Sequence, residues 1–432
     1  MKTCAFYTLG CKVNQYETQS IRESFLESGY KEVEFGEPSD VYVINTCTVT
    51  EKTDKESRRL IRKAGRQNSK AKIVVTGCYT ELDSDEIKSV PGVSFIIKNA
   101  DKDKIVRIID SEKLFRTPSG NKKYSPLEIS DFKDRSKAFL KIQDGCSNFC
   151  SYCKVPLVRG SSVSRGEGSV IAEAERLVRK GFKEIILTGI CLGAWGRELI
   201  PKKSLSPLLV KLAGIDGDFR IRLSSIEPKY VDNDLLETIK YFPKLCRHLH
   251  VPFQSGDNKI LKMMNRPYTF DRYVKIIRNA RRRIPAVSVT TDILIGFPGE
   301  GDRNFRNTCK LIEAVGPSRI HIFPYSKRNG TVAANLANEV PKDTIAKRLK
   351  AMNTLALKAS YEYRKKFLGK TTEVLVEAER DRVTGLLKGY DDKYINILIN
   401  SFGAKAAEKS ISSIVKVRIQ KVDINSTYAL IM

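Results

Sequence analysis

The chain has 432 residues, is 41% hydrophobic, and carries 76 lysines and arginines against 50 aspartates and glutamates, a formal charge of +26. At about 150 residues per domain there is room for roughly three folded domains, and a basic excess of this size speaks for a polyanionic partner and against an acidic surface role. No run of about 18 apolar residues occurs and no apolar segment follows the start MKTCAFYTLGCK, which argues against export and membrane insertion and for a cytoplasmic protein.

Residues 1–112 alternate β-rich runs (Ala5 to Leu9, Val41 to Asn45) with an amphipathic stretch marked by Ile21, Phe25 and Leu26, the pattern of a parallel α/β domain. Residues 113–135 are polar, with Pro and Gly and little periodicity, and read as a linker. Within residues 136–368, six strand-like runs near 139–142, 184–188, 219–224, 247–252, 287–295 and 319–323 are separated by helical lengths. They predict a central partial (βα)6 barrel, closed by a charged helix from Lys342 to Phe367. Residues 369–432 change texture to short β runs at 372–377, 393–399, 414–420 and 427–431, with no proline after Pro341, and predict a small C-terminal antiparallel β-barrel. The fold class expected is therefore α/β with an all-β tail.

Ten cysteines without an export signal are expected to be ligands or reactive thiols, not a disulfide framework. The strongest signal is Cys146-Ser-Asn-Phe-Cys150-Ser-Tyr-Cys153, just after the first barrel strand, where parallel α/β folds place their chemistry. Iron–sulfur clusters usually take four cysteines, so three leave one iron open to a substrate or cofactor. S-adenosylmethionine fills such a position through its amino and carboxylate groups, and an electron from the cluster then breaks its sulfonium. The alternative is a structural zinc loop that borrows a fourth ligand, and the chain has only His248, His250 and His321 as histidine helpers. Cys11, Cys47 and Cys78 are far apart in sequence, yet each ends a β-rich run. Parallel strands bring such ends together at the crevice beyond the sheet's carboxyl edge, so a second cluster with an open iron is expected there. Cys4, Cys191, Cys246 and Cys309 lack any such grouping and read as ordinary thiols.

The C-x3-C-x2-C element after the first barrel strand resembles the radical S-adenosylmethionine superfamily. That resemblance implies cofactor contacts from further strand ends: Thr188 and Gly189, where the superfamily's Gly-Gly-Glu-like element is not literally present; Arg222, Ser224 and Ser225; Gln254; and Gly296. The glycines serve equally well as helix-capping turns, and Gln254 as a loop tie. Two open clusters together resemble the methylthiotransferase family over almost the whole chain, in the order N-terminal cluster domain, radical domain and C-terminal TRAM-like RNA-binding domain. Further matching stretches are Val155-Pro156-x-x-Arg159-Gly160, Ser164-Arg165, Met264-Asn265-Arg266 and Tyr268-Thr269.

Three stretches, from Thr8 to Asn14, from Asn45 to Thr50 and from Leu223 to Pro228, are most similar to the branch acting on N6-threonylcarbamoyladenosine at tRNA position 37. The isopentenyladenosine branch tends to show Gln-Met-Asn after the first cysteine. The branch modifying ribosomal protein S12 acts on a protein, whereas a +26 chain suits RNA better. The resemblance implies two 4Fe–4S clusters and S-adenosylmethionine as cofactors. It implies a tRNA anticodon stem-loop as substrate and an electron donor such as a flavodoxin or ferredoxin. Its chemistry is hydrogen abstraction from C2 of a flipped adenine, followed by methylthio transfer. The basic run from Arg58 to Arg66 and the β-rich tail are candidates for phosphate contacts, against the plainer reading of a solvated helix face. The competing class is a non-catalytic metal-bearing RNA-binding module, against which two trios without an evident fourth ligand speak.

Overall fold

A computed structural model describes residues 1–111, 127–132, 136–400 and 410–432. Near its N-terminus, β1 (Thr3–Thr8), β2 (Lys31–Glu32), β3 (Val41–Thr46), β4 (Lys72–Gly77) and β5 (Val93–Ile97) form a parallel sheet in the order β2-β1-β3-β4-β5. β3, VYVINT, is buried at every position, as a strand covered on both faces must be. Phe6, Ile21 and Val43 pack on one face, and Tyr42, Leu60 and Val75 on the other. Helix α1 (Lys12–Glu27) follows β1, and α2 (Glu51–Gln67) follows β3 behind a capping box at Thr50.

The central segment begins with β6 (Lys137–Lys141). A short antiparallel pair, β7 (Gln143–Asp144) with β8 (Val163–Ser164), then brackets the cysteine loop. The remaining strands are β9 (Glu184–Thr188), β10 (Arg220–Leu223), β11 (His248–His250), β12 (Ser288–Ile295) and β13 (Arg319–Pro324). They form two parallel three-stranded sheets, β6-β9-β10 and β11-β12-β13, joined by parallel bridges Ile221↔Leu245 and Ser225↔His250. The result is an open six-stranded barrel whose free edges are β6 and β13. Helix α1 lies along β6, and its Tyr16 enters the central core, donating to Glu173 Oε1 at 2.9 Å.

After a helix over Lys342–Lys365, five strands close a small barrel in the order β14-β15-β16-β18-β17: β14 (Thr371–Arg380), β15 (Leu387–Asp391), β16 (Asn396–Asn400), β17 (Ile414–Val422) and β18 (Thr427–Ile431). All pairs are antiparallel except β16 with β18.

The expected strands are found, and five more are present that the sequence reading did not expect: β2, β5, the short pair β7 and β8, and β15, LKGYD, which lacks a β-branched run. The expected linker needs a partial correction. Residues 112–126 and 133–135 lie outside the described residues, but Leu127, Ile129 and Phe132 are buried in the central core, with Phe132 edge-on to Phe139 at 5.2 Å.

Candidate active site

The loop of Cys146, Cys150 and Cys153 leaves β7 and is pinned by residues more than a hundred positions later. Ser151 N–H donates to Met264 O at 3.1 Å, Ser151 Oγ to Met263 O at 2.7 Å, and Asn265 Nδ2 to Phe149 O at 2.9 Å. Arg266, buried, donates from Nη1 to Cys150 Sγ at 3.3 Å, from Nε to Tyr268 Oη at 2.8 Å, and pairs with Glu227 at 2.8 Å. Burial pushes the Cys153 thiol up to about 12. Burial also raises Cys150, and Arg266 opposes it. Cys146 is drawn down to about 7, chiefly by a hydrogen bond with the Cys191 thiol. Cys191, read from sequence as an ordinary thiol, therefore sits beside this loop, with its N–H on Gln143 Oε1 at 2.7 Å and Asn148 Nδ2 on its sulfur at 3.6 Å.

The second trio is brought together by the parallel sheet. Cys11 follows β1, Cys47 follows β3 and Cys78 follows β4, and register pairs Thr46 with Gly77 across the last two. Gly10 and Gly77, each preceding a cysteine, have φ of +97° and +101°. A Cβ on Gly10 would stand 2.9 Å from Cys47 Sγ, and one on Gly77 would stand 2.3 Å from Thr46 O. Both positions therefore demand glycine twice over, by backbone and by space. Asn14 Nδ2 ties the first two loops, reaching Leu9 O at 2.8 Å and Thr46 O at 3.0 Å. Cys47 and Cys78 are buried and Cys11 is exposed at the N-terminus of α1. Burial and the neighbouring Cys78 push Cys47 up to about 12. Neutral buried thiols ionise when a cation supplies the missing charge, so both trios fit a metal cluster by the chemistry of their donors.

One arginine spans the two trios. Arg159, buried, donates from Nε to Cys78 Sγ at 3.3 Å, from Nη2 to Asn14 Oδ1 at 2.6 Å, and from Nη1 to Asp144 Oδ2 at 3.0 Å. Asp144 Oδ1 in turn accepts the N–H of Gly145 at 2.8 Å, one residue before Cys146. Beneath it, Glu17 of α1 meets Lys141 at 2.7 Å, Arg159 at 2.7 Å and the buried Lys102. Burial would raise Glu17, but Arg159, Lys102 and Lys141 hold its carboxyl well below the ordinary range. Arg328 of the central segment reaches Thr48 Oγ1 at 2.8 Å and also Asp54, and Lys154 meets Asp83 at 2.8 Å. The two thiol sites thus face each other across a polar seam. The sequence reading quoted Arg159 and Arg266 without giving them a role.

The other expected cofactor contacts divide. Thr188, Ser224, Ser225 and Gln254 stand at strand ends on the loop side, and the buried Ser224 Oγ has no hydrogen-bond partner, the state of a group directed at a ligand. Gly189 packs on Gln143, whose Oε1 would lie 2.8 Å from an added Cβ, so it gives the strand end close approach. The space beside Gly296 is filled by Ile345 of the long helix, 2.6 Å from an added Cβ. Arg222 sits lower in the lumen with its donors engaged: Glu184 at 2.9 and 2.8 Å, Asp391 O at 2.8 Å and Asp392 O at 3.1 Å. Its guanidinium also lies 4.9 Å from the Tyr394 ring, which stacks on His248 and Tyr390. The C-terminal barrel therefore floors the lumen with two tyrosines. Opposite, His250, Asp292 and His321 place one ligand atom each within 4.8 Å of one another. Burial and the nearby Arg319 push His321 down to about 4, and Lys12 adds to this. His250 meets Asp292 Oδ1 from Nε2 at 3.3 Å and Thr290 Oγ1 from Nδ1 at 2.8 Å, so both its ring nitrogens already have partners. On α2, Arg58 is taken by Tyr79 and Glu86, while Arg62, Lys63 and Arg66 face solvent.

A three-thiol loop above the first strand of an open parallel barrel defines a radical S-adenosylmethionine protein. Residues 140–312 match the radical SAM superfamily, and residues 3–98 match the uncharacterized protein family UPF0004. The chain is 38% identical over 431 residues to the threonylcarbamoyladenosine tRNA methylthiotransferase MtaB of Bacillus subtilis, covering 98% of this chain and 94% of the relative. It is 37% identical to MtaB of Thermotoga maritima, with 91% of each covered. It is 35% identical to the tRNA-2-methylthio-N(6)-dimethylallyladenosine synthase of Pelotomaculum thermopropionicum, with 90% of each covered. Among solved structures, the radical S-adenosylmethionine methyltransferase TsrM of Kitasatospora setae shares the fold, with a TM-score of 0.57, 15% identity and 77% of both chains covered. The chain belongs to the radical S-adenosylmethionine methylthiotransferase family, an enzyme class that works with an iron–sulfur cluster and S-adenosylmethionine. Among the described residues no helix is long and apolar enough to cross a membrane.

Proposed function

We propose that this chain converts N6-threonylcarbamoyladenosine at position 37 of tRNA to its 2-methylthio derivative. The full-length identity to MtaB relatives supports the branch. The observation that carries the chemistry is Arg159, which touches Cys78 on one side and, through Asp144, the backbone before Cys146 on the other. Two sulfur-rich sites held this close fit a reaction that needs both.

In this reading Cys146, Cys150 and Cys153 hold one 4Fe–4S cluster with S-adenosylmethionine, and Cys11, Cys47 and Cys78 hold a second. Together these groups supply one-electron cleavage of the sulfonium, hydrogen abstraction from adenine C2 and the methylthio group. The protein's own part is positioning. Arg266 and Arg159 each give an N–H to a cysteine sulfur, lowering the charge density that the buried thiolates would otherwise carry. Asn265, Met263 and Met264 fix the loop. Thr188, Ser224, Ser225 and Gln254 line the strand ends where the cofactor would lie. The adenine enters flipped out of an anticodon stem-loop, most easily from its single-stranded loop. The exposed basic face of α2 and the C-terminal barrel, read as TRAM-like, grip phosphates. Electrons come from a small donor such as a flavodoxin or ferredoxin, and the setting is the cytoplasm.

The test is nucleoside mass spectrometry of anaerobic reactions with cluster-reconstituted protein, S-adenosylmethionine, reductant and tRNA bearing either threonylcarbamoyl- or isopentenyladenosine. A methylthio product from the first alone is expected. Product from the second alone would overturn the branch, and 5′-deoxyadenosine without a methylthio nucleoside would overturn the reaction.

A further inference from the structure

Three side chains of the barrel lumen stand as metal ligands do, and neither thiol site uses them. Strands β11, β12 and β13 are adjacent and parallel, and their register pairs His250 with Thr290 and Asp292 with His321. Side chains alternate along a strand. Leu249, Val289 and Ile293 lie in the core, so His250, Thr290 and Asp292 face the lumen, and register carries His321 to the same face. Two histidines and one carboxylate thus meet from three neighbouring strands, one ligand atom of each within 4.8 Å of the others. All three sit on paired strands and not on loops, the kind of support that holds a site to a fixed geometry.

The distances set this group apart from a simple ion pair. His250 Nε2 stands 3.3 Å from Asp292 Oδ1, longer than the about 2.7–2.9 Å of a charge-assisted hydrogen bond. Two donor atoms bound to one ion at about 2.1 Å lie about 3.0–3.4 Å apart for angles between octahedral and tetrahedral. The rings of His250 and His321 are edge-to-face with centroids at 5.7 Å, within the about 4.5–6 Å expected of two imidazoles that share an ion. An outer support is present as well. Thr290 Oγ1 lies 2.8 Å from His250 Nδ1, and His248 Nε2 braces the same hydroxyl at 2.9 Å. An Nδ1–H donated to Thr290 leaves Nε2, the atom beside Asp292, as the ligand. Burial pushes His321 down to about 4, so near neutral pH it is in the unprotonated form that ligates.

We infer that His250, Asp292 and His321 form a mononuclear site in the barrel lumen for a borderline divalent cation of the zinc, iron(II) or cobalt(II) kind. Imidazole nitrogens select such ions over magnesium and calcium, which take oxygen ligands. Three protein ligands leave the ion with open positions. Because the ligands come from the wall, those positions lie toward the chamber floored by Tyr390 and Tyr394, where they take oxygen or nitrogen donors of a ligand. The site shares no residue with either cysteine trio, so it stands whichever tRNA nucleoside the enzyme modifies.

The test uses the cluster-reconstituted holoenzyme in its oxidised, diamagnetic cluster state, with cobalt(II) alone as the probe. After anaerobic desalting, bound cobalt is read by its high-spin electron-paramagnetic signal and by metal analysis beside iron. The native protein is expected to retain about one cobalt per chain with its iron unchanged. Asp292→Asn and His321→Gln should each weaken cobalt binding by more than about 100-fold. Thr290→Val, which removes only the outer support, should weaken it by about 10-fold, the lower end of outer-shell losses. Iron content that holds in these variants shows that they are folded, and the near-isosteric Thr290→Val keeps the test standing if a ligand variant fails to load iron. Native protein that retains no cobalt overturns the site. So does retention that survives Asp292→Asn and His321→Gln with iron intact, because the metal is then held elsewhere, and so does Thr290→Val that binds cobalt as the native protein does.

Discussion

The two cysteine trios are gathered by opposite routes. Cys146, Cys150 and Cys153 are neighbours in sequence, and their loop is held by a remote stretch, Met263 to Arg266. Cys11, Cys47 and Cys78 are remote in sequence and are held by the register of one parallel sheet. The first site depends on a loop being buttressed; the second depends on a whole sheet being folded. Each recruits one buried arginine to a sulfur at 3.3 Å, Arg266 for the loop and Arg159 for the sheet. The likeness lies in the electrostatics that a desolvated thiolate requires, and not in the backbone that delivers it.

Replacing all three cysteines of one trio by alanine separates the roles most sharply. Without Cys146, Cys150 and Cys153, 5′-deoxyadenosine formation should stop while about four irons per chain remain. Without Cys11, Cys47 and Cys78, 5′-deoxyadenosine should still form and the methylthio nucleoside should vanish. Iron assay with chromatography of both products checks this, and loss of all iron in either variant would break the comparison.

Arg159→Met should come next. It leaves the buried carboxylate of Glu17 undercompensated, and the half-buried Asp144 with it, at a cost of about 3–5 kcal/mol in urea unfolding. Arg266→Met should cost less, since Glu227 is more exposed than Glu17; equal losses would show that the seam between the sites has no special standing. Glu17→Gln in the cluster-free protein probes the same seam by pH. Because the folded-state pKa of Glu17 is depressed, its contribution is fully present above the ordinary glutamate value, about 4.3, and fades as pH falls through its lowered value. The stability gap between native protein and variant should therefore be constant near neutrality and shrink in acid. Gly10→Ala should give the smallest effect, about 1–2 kcal/mol of left-handed strain, together with an altered electron-paramagnetic spectrum for the cluster proposed at the sheet and for no other, because the added Cβ meets Cys47 Sγ.

The contiguous trio was legible as a motif, and the scattered one became legible once each cysteine was seen to end a β run. The arginines were not: Arg159 meets Cys78 across 81 residues and Arg266 meets Cys150 across 116, and no local pattern encodes such a pairing. Cys191 escaped for the same reason, since its neighbour Cys146 lies on a different strand end. Leu127, Ile129 and Phe132 hid in a polar stretch because three apolar residues at uneven spacing declare neither strand nor helix, yet are enough to seal a core edge.

The tyrosine floor has an engineering consequence. Tyr390 and Tyr394 come from the C-terminal barrel, yet they close the bottom of the chamber in which a carbon-centred radical would have to survive, and Arg220 and Arg222 are anchored on that barrel's carbonyls. Trimming the tail is therefore not a clean removal of an RNA handle. It would unplug the vessel from below, admit solvent, and let the radical be quenched before it met its substrate, so uncoupled consumption of S-adenosylmethionine is the signature to expect of a truncated chain.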